Sequence, residues 1–214
     1  MNSKKKSLKN SRLYCVIDKQ TCKNARIGHL ASELSDNNVE MIQLRDKCSG
    51  KKEVLEEAFV LRRVLAKTKT IFIVNDHAEI AFLTDADGVH LGQDDLTIEA
   101  ARKLLGKDKI IGLSCQSLRQ AVEAQDKGAD YIGIGPIFPT STKPGYEAFG
   151  LDLVRQCSKK IRIPVFAIGG IDLENIKSVL KSGAKRVAVC SAVCAAKDPG
   201  LSARSFYRIL HSKA

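Results

Sequence analysis

The sequence predicts an α/β protein with a single (β/α)8 TIM barrel and short loops. Eight short runs rich in Val and Ile alternate with helical patterns along the chain. Each run is continuously apolar, as expected of a parallel strand buried on both faces. The length of 214 residues suits one domain but is short for a barrel, so the loops should be lean. A doubly wound open sheet is the alternative that this alternation leaves open.

The predicted strands follow the apolar runs in chain order. They are Leu13–Ile17, Met41–Leu44, Ile71–Val74, Gly88–Leu91, Ile110–Leu113, Tyr131–Ile134, Pro164–Ile168 and Arg186–Val189. Helices occupy the gaps, with apolar side chains on one face between Val54 and Leu65. Helix starts are predicted at Thr97, at a Ser117 capping box and at Asp172.

Composition and charge narrow the class of partner. The chain has 35 Lys and Arg against 24 Asp and Glu, a formal charge of +11, and 44% of its residues are hydrophobic. That fraction excludes a mostly disordered chain. We expect no nucleic acid, because Trp is absent and no basic stripe alternates with aromatics. We expect no membrane, because no apolar run approaches about 18 residues. The net positive charge is better explained by small phosphorylated ligands than by nucleic acid, although a dispersed basic surface would also explain it.

Residues 1–11 are predicted to be a basic, disordered tail, and residues 12–214 the barrel domain. The tail contains Lys4, Lys5, Lys6 and Lys9, and the apolar run after it is too short for a secretory signal. The seven cysteines show no C-x-x-C spacing, and several lie inside apolar runs. This pattern indicates reduced thiols, so we expect a cytoplasmic protein.

Polar side chains follow the second strand, at the end of a barrel where active sites lie. The segment reads Gln43, Leu44, Arg45, Asp46, Lys47. Strand alternation puts Gln43 and Arg45 on one face, and cations at a strand end suit a cluster of anionic oxygens. A solvated strand end with mixed charges is the alternative interpretation.

Carboxylates follow the next two strands. Asn75 and Asp76 come after the third strand, and Asp95 comes after the fourth. Two carboxylates at neighbouring strand ends suit one hard cation such as Mg²⁺, which completes its shell with water and phosphate oxygens. Taken singly, each carboxylate also fits a helix cap.

The remaining strand ends carry hydroxyls, glycines and a lysine. In chain order these residues are Ser114, Thr140, Ser141, Thr142, Lys143, Gly169, Gly170, Cys190 and Ser191. Barrels often bind phosphate between the loops after strands 7 and 8, and glycines there let the backbone approach the ligand. Tight turns with solvated hydroxyls are the alternative. Two anion sites in one barrel mouth would suit an enzyme that joins two phosphorylated molecules, one of which loses diphosphate.

The ordered set of these motifs resembles the thiamine-phosphate synthase family. The resemblance is carried by Gln43 to Lys47, Asn75-Asp76, Gly88 to Asp95, Gly135 to Lys143 and Ala167 to Ile171. It runs from about residue 12 to residue 195. It implies a transferase that couples 4-amino-2-methyl-5-(diphosphooxymethyl)pyrimidine with a thiazole phosphate to give thiamine phosphate and diphosphate. The implied mechanism is dissociative: diphosphate leaves, a pyrimidine-methyl cation forms, and the thiazole nitrogen captures it.

The resemblance also implies site residues and a cofactor. The pyrimidine diphosphate would be held by Gln43, Leu44, Arg45, Asp46, Lys47, Asn75, Ser114 and Lys143. The thiazole phosphate would be held by Thr140, Ser141, Thr142, Gly170, Cys190 and Ser191. The cofactor is Mg²⁺, held by Asp76 and Asp95. The predicted catalytic residues are Arg45, Lys47, Lys143 and Ser114. His77 and His90 are assigned to packing or hydrogen bonding, and a homo-oligomer stays open.

Departures from the family pattern are few. Many relatives carry Glu at the positions of Asp46 and Asp94, and His at the position of Gln116. The nearest alternative activity is that of a thiazole tautomerase of the related barrel group. Those relatives use His where this chain has Pro136, which cannot move a proton. Another phosphate-handling barrel and a non-catalytic thiazole-phosphate sensor are further alternatives, but a sensor has no need of Asp76, Asp95 and Lys143 together.

Overall fold

A computed structural model describes residues 3–22, 26–140 and 147–212. Eight parallel strands close into a barrel in chain order, which confirms the predicted fold class. The strands are β1 Leu13–Asp18, β2 Met41–Arg45, β3 Ile71–Asn75, β4 Gly88–Leu91, β5 Ile110–Cys115, β6 Tyr131–Ile134, β7 Val165–Ile168 and β8 Val187–Val189. The barrel closes because β1 pairs with both β2 and β8, so that Tyr14 faces Met41 on one side and Ala188 on the other.

Helices surround the barrel. They are α1 Ser3–Leu8, α2 Ile27–Asp36, α3 Lys51–Leu65, α4 Ala78–Leu83, α5 Ile98–Leu105, α6 Leu118–Asp126, α7 Gly150–Lys160, α8 Ile176–Lys181, α9 Ser191–Cys194 and α10 Pro199–His211. Thr97 and Ser117 cap α5 and α6 as predicted, each accepting from a backbone N–H at 3.2 Å. Asp172 caps a turn instead of a helix, because α8 begins only at Ile176.

Strand alternation separates the core into two layers. Outward side chains such as Ile42 and Val74 pack against the helices, while Tyr14, Tyr131 and Phe166 fill the barrel interior. The three rings meet edge to face, with centroids 5.4 to 5.8 Å apart. This aromatic layer closes the barrel below the carboxyl ends of the strands. In the part of the chain that the structure describes, no helix is long and apolar enough to cross a membrane.

The N-terminal segment differs from the expected disordered tail, since Ser3–Leu8 forms α1. Leu8 is 2% exposed and belongs to the barrel-interior cluster with Met41 and Ile71. Lys4 Nζ donates to the carbonyl oxygen of Thr68 at 3.1 Å. One apolar side chain is therefore enough to anchor the segment under the barrel, a contact that composition does not reveal.

Candidate active site

The carboxyl ends of the strands surround a cavity that contains most of the predicted substrate-binding residues. These are Gln43, Arg45, Asn75, Ser114, Thr140, Gly170, Cys190 and Ser191. A neighbouring cavity is lined by Asp46, Lys47, Asp76 and Asp95. A larger cavity of about 870 Å³ lies at the opposite end of the barrel, and no predicted site residue lines it. Most of the predicted site residues that the structure describes therefore lie at one rim of the barrel.

Arg45 is the last residue of β2, and a salt bridge holds its side chain in place at the carboxyl end of the barrel. Its guanidinium forms a salt bridge with Asp18, which ends β1 and is paired with Arg45 in strand register. The Oδ1 atom of Asp18 also accepts from the backbone N–H and the hydroxyl of Thr21, each at 2.9 Å. Because Asp18 is 2% exposed, the pair is shielded from solvent. Arg45 thus has several N–H groups left to direct toward an anion.

Asp46 and Leu44 contribute to the site differently from what the resemblance implies. Asp46 Oδ1 accepts from the backbone N–H of Cys48 at 2.9 Å and of Ser49 at 3.0 Å. Burial opposes ionisation, but these hydrogen bonds and the Lys19 ammonium hold the pKa of Asp46 below its ordinary value. Its carboxylate shapes the loop that carries Lys47. The side chain of Leu44 lies in the outer core, so only its backbone can reach the cavity side.

Asp76 and Asp95 lie next to each other at the ends of β3 and β4. The backbone N–H of Asp76 donates to the carbonyl oxygen of His90 at 2.8 Å, and its φ of +61° turns the residue away from the strand direction. Its carboxylate forms a salt bridge with Lys47, and the Asp95 carboxyl group lies close enough to interact with it. Neither aspartate caps a helix, because His77 precedes α4 and Thr97 precedes α5.

The two carboxyl groups titrate together. Burial, followed by the contact with Asp95, raises the pKa of Asp76, although Lys47 acts in the opposite direction. Burial also acts on Asp95, but hydrogen bonds from Asp76 and from the Gly92 N–H at 2.6 Å hold its pKa below the ordinary value. The contact between the two carboxyl groups therefore favours protonation of Asp76 over protonation of Asp95.

Asp76 and Asp95 are the residues that would bind a divalent cation at this edge of the barrel. Two carboxylates are the protein share of ligands that Mg²⁺ commonly takes. Among the described residues, no group of three or more His, Cys, Asp or Glu side chains could hold a metal ion. The other ligands of a cation between Asp76 and Asp95 would then be water and substrate oxygens. The donor set is compatible with Mg²⁺.

The loops after β6, β7 and β8 form the opposite wall of the cavity. The N–H of Phe138 donates to the carbonyl oxygen of Gly169 at 3.0 Å, which ties the first two loops together. Gly170 has φ +62°, and a Cβ atom there would lie 2.5 Å from the Pro139 oxygen, so the position requires glycine. Asn175 Nδ2 donates to the Gly170 oxygen at 2.7 Å. The same wall contains Thr140, Cys190 and Ser191.

Three predicted residues of the loop after β6 lie outside the described residues. They are Ser141, Thr142 and Lys143. Thr140, which directly precedes them, lies on the cavity wall. Their assignment therefore stays a prediction from the sequence.

The sequence reasoning missed residues that face the barrel axis behind the predicted ones. Gln43 Nε2 donates to the Tyr14 hydroxyl, and Ser114 Oγ lies 2.9 Å from His90 Nε2. Tyr131 lies between Tyr14 and His90. The signal was available in the strands, since residues at even spacing share the inward face of each strand. Asp18, the last residue of β1, was also missed, although its even spacing from Tyr14 puts it on the same inward face.

Comparisons with known proteins identify the family of this chain. The sequence model of the family "Thiamine monophosphate synthase" matches residues 13–193. The thiamine-phosphate synthase of Shouchella clausii is 43% identical over 192 residues, covering 89% of this chain and 92% of that protein. The thiamine-phosphate synthase of Halalkalibacterium halodurans is 41% identical over 207 residues, covering 96% and 98%.

A solved structure is similar as well. The thiamine phosphate pyrophosphorylase of Pyrococcus furiosus superimposes with a TM-score of 0.85 and 34% identity, covering 96% of each chain. The matched region contains every strand of the barrel and both walls of the cavity. The chain therefore belongs to the thiamine monophosphate synthase family, as its motifs predicted.

Proposed function

We propose that the protein joins 4-amino-2-methyl-5-(diphosphooxymethyl)pyrimidine to a thiazole phosphate, releasing diphosphate and forming thiamine phosphate. The observation that carries the proposal is the meeting of Arg45, Lys47, Asp76 and Asp95 at one side of a rim whose other side is lined by the loops after β6 to β8. A site with two anion-binding walls accommodates two phosphorylated substrates at once. Family membership supports the same reaction.

The leaving diphosphate would lie against the wall formed by β2, β3 and β4. Negative charge grows on it as the carbon–oxygen bond stretches, and fixed cations aimed at that charge commonly contribute ~3–4 kcal/mol each. Arg45 is held in one direction by Asp18, so it needs little reorganisation when the charge develops. Lys47, on the loop that Asp46 shapes, supplies a second cation, and Lys143 is proposed as the third.

Mg²⁺ held by Asp76 and Asp95 would neutralise diphosphate oxygens and make diphosphate a better leaving group. The residues of the chain do the positioning. Asp76 is directed by its N–H contact with the His90 oxygen, and Asp95 by the N–H of Gly92. Asn75, next to Asp76 and 9% exposed, would donate to the substrate from the same strand end.

The chemistry proposed here needs no protein nucleophile or base. When diphosphate leaves, the C–O bonding pair goes with it, and the pyrimidine-methyl cation is captured by the lone pair of the thiazole nitrogen. The chain contributes by holding both partners in line and by excluding water. Positioning of this kind contributes as much as any single charge. The buried ring of Phe166, from the aromatic layer of the barrel interior, lines the floor of the cavity.

The thiazole phosphate would bind to the opposite wall. Gly170 brings backbone close to the cavity, and Thr140, Cys190 and Ser191 add polar atoms from two further loops. Phosphate binding between the loops after strands 7 and 8 is the common arrangement in barrels. The tautomerase alternative is disfavoured because Pro136, which lines the cavity, has no titratable group.

A product assay tests the proposal directly. The full-length protein is incubated with both phosphorylated precursors and Mg²⁺, and thiamine phosphate and diphosphate are quantified together. Equal amounts of the two products are expected. A changed thiazole phosphate isomer without coupling would assign the tautomerase activity instead, and saturable binding without turnover would assign the sensor.

A further inference from the structure

A row of five hydrogen-bonded side chains crosses the barrel interior, and three of them have no role in the proposed site. Gln43 Nε2 donates to the Tyr14 hydroxyl. The Tyr14 and Tyr131 hydroxyl oxygens are 2.9 Å apart, and the Tyr131 hydroxyl lies 3.0 Å from His90 Nδ1. His90 Nε2 lies 2.9 Å from Ser114 Oγ. The row thus connects two predicted pyrimidine-binding residues through Tyr14, Tyr131 and His90.

The direction of every bond in this row follows from its first member. An amide nitrogen only donates, so the Tyr14 oxygen accepts from Gln43. Either hydroxyl of the Tyr14–Tyr131 pair can be the donor. We take Tyr14 as the donor, because the Tyr131 oxygen is the acceptor that the row offers to its single hydrogen. Tyr131 in turn donates to Nδ1 of His90. An imidazole that accepts at Nδ1 carries its hydrogen on Nε2, which then donates to Ser114. The hydrogen of the Ser114 hydroxyl is left to point into the cavity.

Reversing the Gln43 amide would reverse the whole row. Tyr14 would then donate to the amide oxygen, His90 would carry its hydrogen on Nδ1, and Ser114 would donate to His90 instead of to the cavity. The row therefore has two consistent states, and the structure shows the one in which Gln43 keeps its amide oxygen as an acceptor. Burial raises the pKa of both Tyr14 and Tyr131, so the phenols stay neutral and each has one hydrogen to give.

The barrel interior is built to hold these groups in place. A Cβ atom at Gly112 would lie 2.2 Å from Cζ of Tyr131, so only glycine on β5 leaves room for that ring. A Cβ atom at Gly133 on β6 would lie 3.4 Å from His90 Cε1, which is an ordinary contact, so that position does not require glycine. Gly112 and the aromatic packing of Tyr14 and Tyr131 hold the row in place.

We propose that Tyr14, Tyr131 and His90 form a positioning relay, which couples the orientation of the Gln43 amide to that of the Ser114 hydroxyl. The inference rests on the proposed function, in which Gln43 and Ser114 hold the pyrimidine. A substrate ring that donates a hydrogen bond to the Gln43 amide oxygen favours the state in which the Ser114 hydroxyl donates its hydrogen to the substrate. The relay thus selects a heteroaromatic ring that carries both a donor amino group and an acceptor nitrogen.

The first test reads the relay without any turnover. Histidine side-chain ¹⁵N resonances are recorded on the full-length protein without substrate, and His90 is assigned by its absence in His90→Gln. The chain has four histidines, so the spectrum is tractable. We expect a neutral ring protonated on Nε2. A ring protonated on Nδ1 would show the reversed state and would overturn the inferred selection of a ring with a donor amino group. An imidazolium at neutral pH, which donates from both nitrogens, would overturn the relay itself, even if the protein is an active synthase.

The second test is a double-mutant cycle between Tyr131→Phe and Ser114→Ala. Removing the Tyr131 hydroxyl should raise the KM for the pyrimidine diphosphate by about three- to tenfold, as expected of one neutral hydrogen bond, and leave the KM for the thiazole phosphate unchanged. In the Ser114→Ala background the same change should have less than about a twofold effect. Equal effects in both backgrounds would mean that Tyr131 acts only through packing.

Two controls keep the outcomes separate. Tyr207→Phe removes a tyrosine hydroxyl from α10, outside the barrel, and should leave both KM values unchanged. Thermal unfolding of each variant identifies loss of folding. If the wild-type protein forms no thiamine phosphate, the proposed function fails, while the ¹⁵N spectrum still decides whether the relay exists.

Discussion

Replacing Asp76 with Asn should abolish the response of the protein to Mg²⁺ while leaving its own stability nearly unchanged. In the metal-free protein, the substitution would remove a salt bridge with Lys47, whose side chain is 48% exposed, and would also remove the unfavourable contact with the Asp95 carboxyl group. An exposed ion pair contributes ~0–1 kcal/mol, and relief of the carboxyl contact acts in the opposite direction. The two effects largely cancel.

The contribution of bound Mg²⁺ to the stability of the folded protein is expected to be larger. A ligand present at a hundred times its Kd stabilises the folded state by ~2.7 kcal/mol. For a chain of this length, that corresponds to a rise in Tm of roughly 5–11 °C. The wild-type protein should show a rise of this size when Mg²⁺ and inorganic diphosphate are added together. Asp76→Asn should show almost none, because one of the two carboxylate ligands is gone.

Differential scanning fluorimetry measures both quantities in one experiment. Asp94→Asn is the matched control, since Asp94 is an exposed aspartate beside Asp95 that is not part of the pair, and its Mg²⁺ response should equal that of the wild type. Turnover of Asp76→Asn should also fall by at least about tenfold. A full Mg²⁺-dependent rise in Tm, or near-normal turnover in Asp76→Asn, would refute the assignment of the metal to this pair.

The other predictions concern charge, pH and packing. Lys143→Ala should lower kcat by at least about tenfold, the loss of ~1.4 kcal/mol of transition-state stabilisation, and unchanged steady-state kinetics would make the loop after β6 structural. Because the pKa of Asp76 is raised, this carboxylate takes up a proton at a higher pH than an ordinary aspartate, so the affinity for Mg²⁺ should fall as the pH is lowered through that pKa; calorimetry that finds a pH-independent affinity over that range would contradict this. Leu8→Ala should destabilise the protein by about 2–4 kcal/mol in a urea titration, with kcat unchanged, unless α1 is detached in solution. Gly112→Ala should destabilise by about 1–3 kcal/mol and shift the His90 resonances, and a variant with wild-type stability and spectrum would show that Tyr131 adjusts freely.

The barrel could be predicted because each strand is buried on both faces. Runs such as Ile71–Val74 leave no polar position that would suit an exposed strand, and strand–helix alternation then gives the topology. The meeting of Asp76 and Asp95 could be predicted for a related reason, since the ends of neighbouring parallel strands lie side by side. The family could be predicted because several motifs occur in the expected order along the chain; no single motif is specific enough.

Other features depend on side-chain direction, which a sequence does not specify. Asp46 stands between two cations and looks like part of an anion site, but its carboxylate turns back to the N–H groups of Cys48 and Ser49. Leu8 is one apolar residue in a basic segment, and only the open lower end of the barrel gives it a place to be buried.

The relay was hidden for a different reason. Tyr14 and Tyr131 are 117 residues apart and read as ordinary core residues of their strands. Their hydroxyls meet only because the barrel closes and because Gly112 leaves the space that the Tyr131 ring occupies. Contacts of this kind depend on the closed tertiary structure.

The central claim is that groups from separate strands act together on one leaving diphosphate. The most direct measurement is a crystal structure of the protein with diphosphate, thiazole phosphate and Mn²⁺ in place of Mg²⁺, in which anomalous scattering locates the metal. We expect the metal between Asp76 and Asp95, with diphosphate oxygens on the metal and within hydrogen-bond distance of Arg45. A metal bound away from both carboxylates, with diphosphate out of reach of Arg45, would contradict the account.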